Sequence, residues 1–299
     1  MPVMQTERSH RPPPPVENYP RRGVGSLWDF VHFALHVGAF EILRGRMDYV
    51  RCIEFPLVFQ HLRLEPRTRL LDVGSAQSHF PLYVASRTDT TVVALDASPW
   101  IAWQKKMEAT FIRRGIVPSG RLHVVVADAR QPSLADGTFD YISLISTIEH
   151  IEGDGDSVAI ERLARLLKPG GRLVLTVPYN YRRYRDFWVQ DDTYTSVYRG
   201  QQLFFQRHYD DDALAKRLVE PSGLPLRTKL IFGEPGWRCF NTIFANSRLP
   251  VFLKLPYLWT MPLFARRFAR VLRPDEIRTK EGLPMVTTEG ALLVLEKPR

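Results

Sequence analysis

Three short apolar runs, each meeting a carboxylate at its far end and each followed by a different kind of pattern, constrain this chain more than any other feature. Leu70-Leu71-Asp72-Val73, Thr91-Val92-Val93-Ala94-Leu95-Asp96 and Leu122-His123-Val124-Val125-Val126-Ala127-Asp128 are rich in branched aliphatic residues, as buried strands are. Between them, Phe80-Pro81-Leu82-Tyr83-Val84-Ala85 and the segment from Pro99 to Arg114 carry apolar residues in a helix-like pattern. Strand alternating with helix calls for right-handed crossovers and a parallel sheet covered on both faces. Ligands of such sheets bind beyond the carboxyl ends of the strands, where these three acids fall. Core packing alone does not require acids there.

The first strand enters the turn Asp72-Val73-Gly74-Ser75-Ala76-Gln77-Ser78. A glycine there takes backbone angles closed to other residues and admits a close ligand, and the next helix offers N–H groups without helical partners. A dinucleotide site would read G-x-G-x-x-G, whereas Ala76 and Ser78 occupy the later glycine positions, so that signal is poor. By itself the turn is equally compatible with an ordinary strand-to-helix connection. It resembles motif I of the class I S-adenosylmethionine-dependent methyltransferases, D-x-G-x-G-x-G, with Asp72 and Gly74 matching and the last two glycines departing. An acid beside amides suits a ligand end that carries both an ammonium and a carboxylate.

Further marks of the same resemblance follow in order. Asp96 lies 24 positions after Asp72, about where a carboxylate accepts from two ribose hydroxyls. Asp128 and Ala129 stand where the family contacts the adenine. Phe139 to Ser146 reads as a fourth strand, followed by Thr147-Ile148-Glu149-His150-Ile151, similar to the family's E-H-I/V signature. Lys168-Pro169-Gly170-Gly171 closes a helix over Ser157 to Leu167 and opens a fifth strand, Arg172 to Pro178. Gly170 and Gly171 read as a left-handed turn there. The matching marks run from Leu70 to Pro178, and weakly on to a helix at Asp211 to Leu218.

The resemblance implies an α/β fold: a Rossmann-like, doubly wound, seven-stranded sheet, mostly parallel with an antiparallel last strand. It implies S-adenosyl-L-methionine as cofactor, held by Asp72, Gly74, Ser75, Ala76, Asp96, Ala97, Asp128, Ala129 and Ser146. Trp100 is read either as core or as a ring lying against the adenine.

Around that core the chain divides into a disordered, proline-rich tail (1–24), a helical N-terminal cap (25–64), the cofactor-binding core (65–235), a helical insertion or lid (236–288) and the last strand (289–299). Ser26-Leu27-Trp28-Asp29 resembles a capping box at the start of the cap, and a second helix from about Tyr49 to Leu62 is interrupted by Pro56. With 299 residues and 44% hydrophobic content, the chain supports a substantial core. Cys52 and Cys239 lack metal-ligand or redox-motif spacing, which suggests a reducing compartment. No basic-then-apolar leader opens the chain, and a cytoplasmic location is expected.

A formal charge of +9 suggests an anionic partner or none. From Pro250 to Arg273 there is no acid, and apolar bulk with aromatics lies beside arginines. That segment (250–273) reads either as a cap with a solvated basic face or as a peripheral contact with anionic lipid.

Methyl transfer to a hydroxyl needs a base, and His150 is the first candidate, with Glu149 orienting it or binding substrate. A purely structural role for both is the competing reading, and His79 is a second candidate base. A related quinone O-methyltransferase subgroup binds metal through E-x-x-E-H, but Ser146 takes the first position here, so no metal is expected. Nucleobase amino-group methylation would place an acidic or amide residue and P-P-aromatic after the fourth strand, where Ser146-Thr147-Ile148 stands. Pyrimidine carbon methylation needs a thiol in a suitable loop, which neither cysteine provides. The expected acceptor is therefore a small molecule, sugar or lipid-linked glycan, and nucleic acid is disfavoured. RNA or protein methylation, and a non-catalytic binding scaffold, are the alternatives.

Overall fold

The structure is a computed structural model describing residues 22–38, 47–191, 198–235, 251–273, 276 and 290–299. Most of the expected tail, Cys239 and the flanks of the insertion lie outside the described residues.

The sheet follows from the apolar runs. Strands β1 (Arg69–Val73), β2 (Thr91–Asp96), β3 (Leu122–Val126), β4 (Phe139–Ile145) and β5 (Leu167–Pro178) are parallel, in the order β3-β2-β1-β4-β5. Beyond β5 come the last strand, β10 (Gly290–Glu296), and then β8 (Leu226–Gly233), with β10 antiparallel to both neighbours. These are the seven expected strands. An eighth, the two-residue β9 (Arg270–Val271), is contributed by the insertion and pairs with the end of β8.

Adjacent residues of each central strand serve opposite faces, as the pleat requires. Leu70, Val92 and Ala94 pack with α1 (Leu27–Val37), α2 (Arg51–Leu62), α3 (Phe80–Arg87) and α4 (Ala102–Arg113). Leu71, Val73, Val93 and Leu95 pack under α5 (Gly155–Leu166) and α6 (Asp211–Leu214). Cover on both sides is why these strands read as unbroken apolar runs. The first face is held by aromatic rings: Phe30 of α1 stacks on Tyr83 of α3 at 3.7 Å and meets Phe55 of α2 at 5.6 Å. Each ring so buried contributes on the order of 2 kcal/mol.

Local signals explain the cap. Ser26 Oγ accepts from the Asp29 amide at 3.2 Å, which is half of the expected capping box. The Asp29 carboxylate does not reach back. It takes the Tyr83 hydroxyl and Arg87, the latter at 3.1 Å, and so ties α1 to α3.

Three expectations change. Pro56 does not interrupt α2, which runs through it from Arg51 to Leu62. The lost hydrogen bond and ring clash, roughly 3 kcal/mol, are outweighed by burial of Phe55, Pro56, Leu57 and Val58. The aromatic loop from Tyr179 to Tyr209 is also more regular than its sequence suggests: β6 (Arg185–Asp191) and β7 (Tyr198–His208) pair as an antiparallel hairpin outside the main sheet. Of the two glycines after Pro169, only Gly170 is left-handed. Gly171 is needed because an added Cβ would lie 2.8 Å from the Lys168 carbonyl.

Among the described residues the remaining α-helices are α7 (Glu220–Ser222) and α8 (Val251–Phe268). Among the described residues no helix is long and apolar enough to cross a membrane.

Candidate active site

A cavity of about 740 Å³ opens at the carboxyl ends of β1 to β4, and the three strand-end acids share its wall. Their environments differ. Asp72 is paired in register with Ser143 of β4, so the Ser143 hydroxyl donates to one carboxylate oxygen at 2.6 Å and Ser75 donates to the other at 2.7 Å. Burial nevertheless raises the Asp72 carboxyl to about 6. Asp96 accepts the Ser98 amide on one oxygen at 2.7 Å and the Ala76 amide on the other at 3.0 Å, and burial raises it too. Asp128 lies just past the end of β3, forked by Arg130 at 2.6 and 3.0 Å, which holds it below the ordinary carboxylate range.

The motif I turn is built from within. Gly74 has φ of +77°, and an added Cβ would sit 2.1 Å from Thr147 Cγ2. Its glycine thus serves the approach of the β4 loop more directly than that of a ligand. The Gly74 and Ser75 amides donate to the Leu95 carbonyl, at 2.8 and 3.2 Å, and the Ser78 amide to Ser75. With the Ala76 amide on Asp96, the turn has committed most of the donors that a diphosphate would need, which removes the phosphate-cradle reading. Ala76 holds φ of +30° where the motif usually carries glycine. Gln104 of α4, fully buried, donates to the carbonyls of Ser75, Ala76 and Ser78 and locks the turn from behind.

Gly74, Ser75, Ala76, Ala97, Ala129, Ser146 and His150 all line the same cavity. Trp100 lies on its rim, 47% exposed, rather than in the core. Glu149 is different: it is 1% exposed and stands behind the wall, with Oε1 3.8 Å from His150 Nε2. Its Oε2 has no hydrogen-bond partner among the described residues, and burial raises its carboxyl to about 8. His150 Nδ1 lies 2.6 Å from the Phe205 carbonyl of β7. A carbonyl only accepts, so Nδ1 carries the hydrogen and Nε2 the lone pair. Burial lowers the imidazole to about 4, leaving it neutral at pH 7. His79 is buried away from the cavity, its ring 5.8 Å from that of Trp103.

The far wall comes from the N-terminal cap. Asp48, Arg51 and Phe55 reach the cavity from the start of α2, and Glu54 pairs with Arg51 and accepts the Ser146 hydroxyl at 2.5 Å. Ser146 is held with φ of +45°. Backbone strain of this kind concentrates at functional sites. Sequence reasoning missed Gln104, Asp48, Arg51, Glu54 and Arg130. The available signal was Glu54 itself, a charge set inside the apolar run Cys52-Ile53-Glu54-Phe55.

Comparison with known proteins agrees with this geometry. The family described as "Methyltransferase domain" matches residues 71–175. An O-methyltransferase of Pyrenophora dematioidea is 30% identical over 151 residues, covering 49% of this chain and 54% of that protein. Phosphoethanolamine N-methyltransferase 3 of Arabidopsis thaliana is 32% identical over 116 residues, covering 38% of this chain and 22% of that protein. The chain thus spans about half the length of the first and less of the second. In fold it is similar to a SAM-dependent methyltransferase from Methanosarcina mazei, with a TM-score of 0.52 and 16% identity over 80% of this chain and 97% of that one. The matched segment runs from β1 into β5 and includes all three strand-end acids. Residues 71–175 accordingly match a methyltransferase domain, and the fold around them is similar to that of the solved methyltransferase.

Proposed function

We propose that the protein transfers a methyl group to a hydroxyl of a small molecule, a sugar or a lipid-linked glycan. One observation carries the cofactor half of this reading. The cavity wall bears five carboxylates, Asp48, Asp72, Asp96, Asp128 and Glu152, against two guanidiniums, Arg51 and Arg130, in a chain whose formal charge is +9. A pocket of that sign in a basic protein suits a cation, not a polyphosphate. S-Adenosylmethionine carries a sulfonium and an ammonium, and loss of the sulfonium on transfer weakens the same attraction and favours release.

When bound, S-adenosylmethionine supplies an activated methyl group for in-line transfer. The chain's own residues do the rest. Asp96, whose two oxygens are already oriented by backbone amides, accepts the ribose hydroxyls. Asp128 and Ala129 meet the adenine, with Trp100 at its rim. Asp72 faces the amino acid end and attracts its ammonium once ionised. His150, neutral and with its lone pair on Nε2, takes the proton of the acceptor hydroxyl. Glu149 behind it, held protonated at pH 7 by burial, backs the ring rather than neutralising it. A nitrogen acceptor, as in the name of the plant relative, would need no such base.

Calorimetry with S-adenosylmethionine, followed by turnover on hydroxyl and amine acceptors, tests this reading. Binding with hydroxyl turnover that is lost in His150→Ala supports it. Absence of cofactor binding overturns it, and binding without turnover on any acceptor favours a scaffold.

A further inference from the structure

Helices α1 and α8 lie against each other, and both pack on α2. Arg266 sets its guanidinium 5.8 Å from the centroid of the Trp28 ring. Along α1 the outward stripe is Trp28, His32 and Leu35, at helical spacing, with Leu35 48% exposed. Along α8 it is Leu263, Arg266 and Arg267, continued by Arg270 of β9, with Leu263 53% exposed. The inward stripe, Met261, Ala265 and Ala269, is buried.

Charge and apolar surface are therefore interleaved. No acid occurs between residues 250 and 273. Arg270 and Arg273 do find one, Glu276, which both contact. Among the described residues no acid pairs with Arg266 or Arg267, and both are exposed. A nucleic-acid face would use such arginines but has no use for exposed aliphatic side chains among them. A bilayer surface uses both: leucine and tryptophan enter the headgroup boundary while arginines meet anionic lipid.

We infer that the outer face of α1 and α8, built on Trp28, Leu35, Leu263, Arg266 and Arg267, docks the protein onto an anionic phospholipid surface. The cavity wall formed by Asp48, Arg51 and Phe55 lies on α2, the helix against which both α1 and α8 pack. Docking this face therefore leaves the cavity one helix from the lipid.

Cosedimentation of the full chain with phosphatidylcholine vesicles, with and without phosphatidylserine, tests the inference. Wild type should bind the anionic vesicles and scarcely the neutral ones. Each basic residue near a charged surface is worth about a five-fold change in partitioning, so Arg266→Glu with Arg267→Glu should weaken binding on the order of 25-fold or more. Leu35→Ser with Leu263→Ser should remove the part of binding that survives high salt. Equal partitioning of wild type and the arginine variant, no vesicle binding by wild type, or preference for a single-stranded RNA over vesicles would each overturn it. All substituted side chains are exposed, and cofactor calorimetry on the same variants checks that they fold. Failure of wild type to bind the cofactor would undo the methyl-transfer reading while leaving the vesicle result standing.

Discussion

The two halves of the cavity are assembled in different ways. On the cofactor half, every group sits within a few residues of a strand end: Asp72 and the turn after β1, Asp96 after β2, Asp128 after β3. Once the strands are ordered, the acids have nowhere else to go. On the opposite half, Ser146 is met by Glu54 from 92 residues away, and His150 is held by the Phe205 carbonyl from 55 residues away. The first half is inherited with the sheet. The second is negotiated between α2, the β4 loop and the β6–β7 hairpin.

That contrast can be broken most sharply at His150. Its replacement by alanine is expected to reduce hydroxyl methylation by about 10²- to 10⁴-fold, with cofactor affinity unchanged by calorimetry. A matching fall in cofactor affinity would mean that the halves are not separable. Asp96→Ala is the converse. Losing two charge-assisted hydrogen bonds at about 1.5 kcal/mol each should weaken cofactor binding roughly 100-fold. Unaltered affinity would remove the ribose assignment.

Smaller effects sharpen the comparison through pH. Burial lifts the Glu149 carboxyl from 4.5 to about 8, so the folded protein keeps a proton that the unfolded chain releases. Its contribution to stability is complete below about pH 4.5 and is lost as pH rises toward 8. Urea titrations of Glu149→Gln should therefore close the gap on wild type, or pass it, by on the order of 5 kcal/mol between pH 4.5 and 8. Parallel curves would show that Glu149 is already ionised in the fold. The smallest effect is at Ala76, whose φ of +30° is unfavourable for a side chain. Ala76→Gly should add about 0.5 kcal/mol by thermal unfolding, the relief of strain exceeding the entropy lost. A decrease would mean that the turn is relaxed as it stands.

The doubly wound cover and the three acids on one wall were legible because strands buried on both faces have one compositional signature, and their carboxyl ends have one place to lie. Ser26 as a cap and Gly74 in the turn were legible for similarly local reasons, although the reason for Gly74 changed: Thr147 stands where its Cβ would be. Pro56 misled, because the interruption it implies was overruled by burial on all sides. The β6–β7 hairpin was hidden by a sequence whose aromatics satisfy no clean alternation. Glu149 was expected in the site itself, and the fold put it one layer behind.

By itself, then, the sequence determined the sheet, the turn and the sign of charge at the strand ends, all of which depend on neighbours in the chain. Tertiary structure alone decided that Arg51 and Glu54 close the cavity, that His150 is neutral with its lone pair on Nε2, and that α8 lies beside α1. Those outcomes depend on burial and on partners far away in sequence, and no local pattern encodes either.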